Sequence, residues 1–108
     1  MPVSIVYQKE QILSAYVIYD VDIYDLTRYQ DYMQQVKPAI EAAGGRYLAR
    51  GGPHKVYEGD WKPKRLVLFE FPSMEALDAF YTSPSYLSIK PIRDECSSVR
   101  MIAVEGLP

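Results

Sequence analysis

Apolar and polar positions alternate along residues 15–24, AYVIYDVDIY, a stretch dense in β-branched and aromatic side chains that predicts a strand. Asp25 follows as a helix N-cap, and there the period changes. Leu26, Tyr29, Met33, Val36, Ile40 and Ala43 recur every three or four residues, which is one apolar helical face, and Gly44-Gly45 ends it. Pro38 removes an amide donor and disfavours helical geometry at Lys37, so a kink or restart is expected. RYLAR reads as a short strand, Gly51-Gly52-Pro53 as a bend or bulge, and HKVYE as the strand's continuation. GDWKPK supplies a hairpin loop, and RLVLFEF is apolar enough to be buried on both faces. Ser73 caps a second helix with Glu75 near its positive end and Leu77, Phe80 and Tyr81 turned inward. Ser83-Pro84-Ser85 ends that helix and begins another short one through Tyr86, Leu87 and Ile89, and SVRMIAVE is the last strand.

The order strand, helix, strand, strand, helix, strand is the split βαβ pattern of a ferredoxin-like α+β domain, an antiparallel sheet with its helices on one face. One set of strand positions, Val17, Tyr19, Val21, Tyr47, Ala49, Val67, Phe69, Phe71, Ile102 and Val104, is expected beneath the helices. The opposite set holds Tyr16, Ile18, Leu48, Leu66, Leu68, Met101 and Ala103, too apolar a surface to leave in water. With no third layer in the chain, a second copy packed sheet to sheet about a two-fold axis is the economical cover.

Composition narrows the function classes. A chain of 108 residues is one domain in size, and 48% hydrophobic with 24% charged residues is ordinary for a globular protein. The formal charge of −2, with both signs interspersed, gives no basic field for nucleic acid. No apolar run is long enough to span a bilayer, and Gln, Lys and Glu interrupt the opening residues where a signal peptide needs an apolar run, so a cytoplasmic protein is expected. The single cysteine, Cys96, fits a reducing compartment, has no activating base near it in sequence and is read as inert.

The blocks YVIYDVDIYD, GGRYLARGG, YEGDWKPKRLVLFEFPSMEALDAFYTSPSY and MIAVEG resemble, in order, the family known as domain of unknown function 1330, within the dimeric α+β barrel superfamily. The resemblance spans residues 15–106. It implies a ferredoxin-like protomer and a barrel between the sheets of two copies. The superfamily includes cofactor-free monooxygenases, isomerases, cyclases and haem proteins, so the likeness implies a fold and not a reaction. Residues 1–14 form an N-terminal extension outside the family block; Val3, Ile5 and Tyr7 alternate there as a strand would, and a frayed arm fits equally.

On the surface expected to face the barrel stand Asp20, Asp22, Arg46, Arg50 and Glu70. Ionised groups on a surface about to be buried need partners or a purpose. In a catalytic reading Asp20 or Glu70 is the general base, Arg50 clamps a substrate anion, and His54, after the RGGP bend, is a secondary acid. In a structural reading Asp20, Arg50 and Glu70 satisfy one another. Trp61 pins the hairpin or forms an aromatic lid; Tyr16, Tyr29, Tyr32, Tyr81 and Tyr86 line a cavity for an aromatic or polyketide-like ligand, or belong to the core. Asp20, Asp22 and His54 lack the spacing of a metal site, haem through His54 is equally unsupported, and G-x-G-x-x-G, P-loop and G-x-S-x-G motifs are missing. The expected function is therefore a small enzyme without cofactor, working by acid/base chemistry on an organic molecule as an isomerase, cyclase or monooxygenase. The alternative is a noncatalytic dimer that binds a small ligand or serves as an accessory subunit.

Overall fold

The structure, a computed structural model, describes residues 12–108. The strand-like pattern at Val3, Ile5 and Tyr7 lies outside the described residues.

Strand β1 spans Ala15–Ile23 and leads into helix α1, Leu26–Ala42, whose N-cap Asp25 accepts from the Arg28 amide at 3.2 Å. The helix is uninterrupted through Pro38, so neither the kink nor the restart breaks it into two. It stops where Gly44 takes φ +92°, a left-handed conformation that a side chain would strain. Strand β2, Arg46–Arg50, is short, and the chain then runs as an exposed loop to strand β3, Leu66–Phe71. The expected continuation HKVYE forms no strand: it has no neighbour to pair with beyond the sheet edge, and all five residues are exposed. Helix α2, Met74–Tyr81, and helix α3, Pro84–Cys96, start at serine N-caps, Ser73 accepting from the Ala76 amide at 3.0 Å and Ser83 from the Tyr86 amide at 3.2 Å. Strand β4, Ser97–Glu105, follows α3 without a linker.

The four strands lie in the order β2-β3-β1-β4, every neighbouring pair antiparallel. This is the ferredoxin-like fold, with the segment after α2 extended into a second full helix. Ala15, Val17, Tyr19, Val21, Val67, Phe69 and Phe71 form the buried floor, and Tyr29, Val36, Ile40, Leu77, Phe80, Tyr86 and Ile89 close on it from the helices. Leu26 and Tyr81, expected inward, are exposed.

Strand β4 is inverted relative to expectation. Val17 pairs with Ala103 and Tyr19 with Met101, so Ala103, Met101 and Val99 lie on the helix side. Ile102 and Val104, expected beneath the helices, lie on the open face and are 68% and 55% exposed. In β2 a bulge at Leu48 sets Tyr47 opposite Phe69 but Ala49 opposite Leu68. Ala49 therefore joins the open face, and Arg50 turns to the helix side. The open face then carries Ile18, Leu66, Leu68, Ala49, Ile102 and Val104, with Arg100 opposite Asp20. No helix of the described residues is long and apolar enough to cross a membrane.

Candidate functional site

The carboxylates read as candidate bases are separated and occupied. Asp20 stands opposite Leu66, and Glu70 opposite Tyr16. Four residues of strand, ~13 Å, divide them. Asp20 is the anchor of the long loop: its oxygens accept from the Lys64 amide at 2.8 Å, the Arg65 amide at 3.2 Å and the Trp61 indole at 3.3 Å. Trp61 is 51% exposed and tied at its nitrogen, which fits a pinned hairpin. His54 is also in this loop and exposed, its Nε2 3.1 Å from the Pro63 carbonyl, on the same peptide unit whose Lys64 amide donates to Asp20. Asp20→Ala should cost about 1 kcal/mol by loosening the loop, since its largely exposed donors turn to water. A lowered melting temperature with altered Trp61 fluorescence is the expected result; unchanged values for both would show that the loop does not depend on Asp20.

Glu70 pairs with Arg46 across β2 and β3 at 2.6 Å. The hydrogen bond from Arg46 holds its carboxyl below the usual range, against the upward push of desolvation, with Ser14 and Tyr16 adding to the lowering. An acid held ionised by a neighbour is a poor proton donor. Tyr16 stays on the open face, its ring so close to Gly106 that a Cβ there would fall 2.5 Å from it. A cleft of about 690 Å³ on this side is lined by Asp20, Asp22, Asp60, Trp61, Lys64 and Arg100, among others, with charges of both signs. Arg50 is not part of it. The bulge carries it to the other side, where it stacks 4.4 Å over the Tyr47 ring and donates to the Met33 carbonyl at 3.1 Å. Among the described residues it pairs with neither Asp20 nor Glu70, so the expected mutual network does not form.

The tyrosines do converge. Tyr29 and Tyr32 on α1 and Tyr86 on α3 are buried against Tyr19 of β1. The Tyr19 and Tyr29 hydroxyls are 3.3 Å apart, as are those of Tyr32 and Tyr86. Arg93 on α3, only 5% exposed, donates through Nη1 to the Tyr86 hydroxyl at 3.0 Å and through Nη2 to Asp94 at 3.2 Å. Its Nε is buried with no partner among the described residues. Tyr19, Tyr32 and Tyr86 line a closed cavity of about 10 Å³ together with Val36, Phe69 and Leu77. That is room for about one water. Outside it, a groove of about 250 Å³ between α2 and β4 shares Leu77, Tyr81 and Met101 with the cavity wall. Tyr81 and Met101, 37% and 36% exposed, are the accessible part of the wall that groove and cavity share.

The wall of this chamber is almost wholly apolar, and Tyr29 and Arg93 stand behind it, so its polar chemistry rests on the few hydroxyls at its edge and the donors that back them. Each tyrosine pair has two O–H groups and one shared hydrogen bond, which leaves one phenolic hydrogen over in each. The Arg93 Nε–H adds a third donor without an acceptor. Burial pushes the Tyr19 and Tyr32 hydroxyls well up from their ordinary value and raises that of Tyr29, so they remain neutral donors near neutral pH. Burial also works against the Arg93 charge, but Tyr86, Tyr32 and Asp94 more than offset it. The arrangement suits an oxygen anion and supplies no base. Among the described residues no three His, Cys, Asp or Glu side chains are grouped as a metal centre requires. Cys96 is buried and its thiol is pushed up, chiefly by desolvation, as an unreactive cysteine would be.

Residues 14–107 match the sequence model of the family described as a domain of unknown function, DUF1330. The chain belongs to that family. No curated protein matches this DUF1330 chain in sequence. Among solved structures it is similar to a protein of unknown function from Rhodopseudomonas palustris, at 16% identity and TM-score 0.71, covering 99% of this chain and 93% of that one. It is similar to SnoaB, a cofactor-independent oxygenase from Streptomyces nogalater, at 7% identity and TM-score 0.66, covering 89% and 95%. A dimeric protein of unknown function and ferredoxin-like fold from Bacteroides fragilis aligns at 18% identity and TM-score 0.55, covering 86% and 96%. At these identities the likeness is one of fold.

Arg93 is the residue that the sequence reading of this DUF1330 chain passed over. Its signal was present: Tyr86, Ile89, Arg93 and Cys96 are spaced as one helical face, and all four are buried. A charge in an apolar stripe marks a position where the helix face carries more than packing.

Proposed function

We propose that this protein is a small cofactor-independent enzyme that acts by acid/base chemistry on an organic molecule, of isomerase, cyclase or monooxygenase type. Its site is the tyrosine and Arg93 chamber beneath the helices, and its working form is a homodimer through the open sheet face. One observation carries the reading: the buried Tyr19, Tyr32 and Tyr86 phenols border a small cavity, and Arg93, behind Tyr86 and outside the cavity wall, keeps a buried Nε–H without an acceptor among the described residues. A substrate whose O–H or C–H is acidic enough to give up its proton to solvent would leave an enolate or phenolate oxygen. Tyr32 or Tyr86 donates to that oxygen, and Arg93 polarises Tyr86 from behind, so charge developing in a water-poor site meets donors already in place. The fold shared with a cofactor-independent oxygenase supports this class of chemistry. The apolar open face, together with a dimeric relative of the same fold, supports the homodimer.

A ligand-binding or accessory role without catalysis is the second reading, favoured by a cavity that as it stands holds only about one water. Binding of para-nitrophenol tests the anion site on which the enzyme reading depends. The enzyme reading expects the bound dye to ionise at lower pH than the free dye, with Tyr32→Phe and Arg93→Met each weakening binding about tenfold or more. An absent spectral shift, or equal affinity in wild type and both variants, would remove the chamber as an anion site and leave the second reading.

A further inference from the structure

A cleft of about 610 Å³ that shares no wall residue with the chamber cavity separates α1 from the β2 bulge, and it is lined by Gln30, Gln34, Lys37, Pro38, Arg50 and Arg65 with Met33 between them. Two half-buried guanidinium groups converge here on one residue: Arg50 donates to the Met33 carbonyl at 3.1 Å, and Arg65 points Nη2 at the Met33 sulfur from 3.7 Å. Each also lies over an aromatic ring, Arg50 at 4.4 Å from Tyr47 and Arg65 at 5.9 Å from Tyr29. Arg28, Arg46 and Arg93 all have carboxylate partners, whereas Arg50 and Arg65 have none among the described residues. Lys37 is already neutralised by Glu41 at 3.1 Å.

The backbone makes room for this pair. Gly51, at φ +72°, follows Arg50 directly, and a Cβ there would fall 2.5 Å from the Arg65 Nε. Each guanidinium carries five N–H donors, of which the contacts above use one from Arg50 and one weak one from Arg65. Two like charges brought together with most donors free, and partly out of water, repel unless an anion lies between them. Forked donors match a planar carboxylate, and Met33 with Pro38 offers an apolar surface to the body that carries it.

We infer that this cleft binds the carboxylate of a small organic molecule, held between Arg50 and Arg65. The site is separate from the chamber and does not depend on the proposed reaction. Calorimetric titration with benzoate, and separately with inorganic phosphate, at constant ionic strength in chloride tests it. Benzoate should bind saturably and more tightly than phosphate, with Arg50→Met and Arg65→Met each weakening it about tenfold or more and Arg65→Lys, which keeps the charge without the fork, falling between. Arg93→Met should leave benzoate binding unchanged, and melting of the Arg50→Met protein should stay near wild type, because no carboxylate is stranded. Benzoate that does not saturate, binds no better than phosphate, or binds the two methionine variants as well as wild type would overturn the inference.

Discussion

Above about pH 10 the protein is expected to lose stability steeply and unfold as its buried tyrosines ionise. Tyr19, Tyr29 and Tyr32 are enclosed between sheet and helices, and burial raises the proton affinity of all three above that of a tyrosine in the unfolded chain. The folded state then holds protons that the unfolded state releases. A raised value means that the stabilisation is complete below about pH 10 and is lost as pH climbs toward the folded value. Each such group removes about 1.4 kcal/mol per pH unit until its folded value is reached, so Tyr19 and Tyr32, the furthest raised, remove about 3 kcal/mol per unit, against a total stability of about 5–15 kcal/mol. Tyrosinate absorbance and far-ultraviolet circular dichroism should therefore change together in a pH titration. Full tyrosinate absorbance near pH 10 with helical signal retained would mean that the phenols are open to water.

The second large effect is on assembly. Leu68 lies at the middle of the open face, opposite Ile18 on β1 and Ala49 on β2, with Ile102 on β4 in the same row. Its neighbours are apolar, so in the proposed dimer Leu68→Lys places an unpaired ammonium between two sheets, once in each copy. A penalty of about 3–5 kcal/mol corresponds to a hundredfold or more in dissociation constant. Sedimentation at micromolar concentration should find wild type dimeric and the variant monomeric, with circular dichroism unchanged because Leu68 is outside the core of the protomer. A wild type that sediments as a monomer would remove the sheet-to-sheet contact.

Element order and caps were legible in the sequence because each rests on local chemistry: alternation in β1, the three-and-four spacing in α1, and Asp25, Ser73 and Ser83 at helix starts. Strand faces were legible only where one parity alone is apolar. In SVRMIAVE both parities are apolar, so alternation leaves the face open, and the pairing of Val17 with Ala103 decides it. The bulge at Leu48 moved Arg50 in the same way, since one extra residue exchanges the two faces for all that follows. The candidate site suffered most from this. Asp20, Arg50 and Glu70 share a face in simple alternation, yet in the fold one anchors a loop, one lies under α1 and one pairs with Arg46. Of the tyrosines, Tyr32, Tyr81 and Tyr86 line the small cavity, Tyr29 is buried beside it, and Tyr16 lies on the open face.

The central claim is that ligand enters the protomer beneath the helices and not the space between sheets. A crystal structure of the protein with para-nitrophenol bound tests this most directly. The expected result is ligand oxygen within hydrogen-bond distance of the Tyr32 or Tyr86 hydroxyl, with Arg93 behind it and Tyr81 and Met101 displaced from the shared wall. Ligand seated against Ile18, Leu68 and Ile102, with the chamber still closed around about one water, would contradict it.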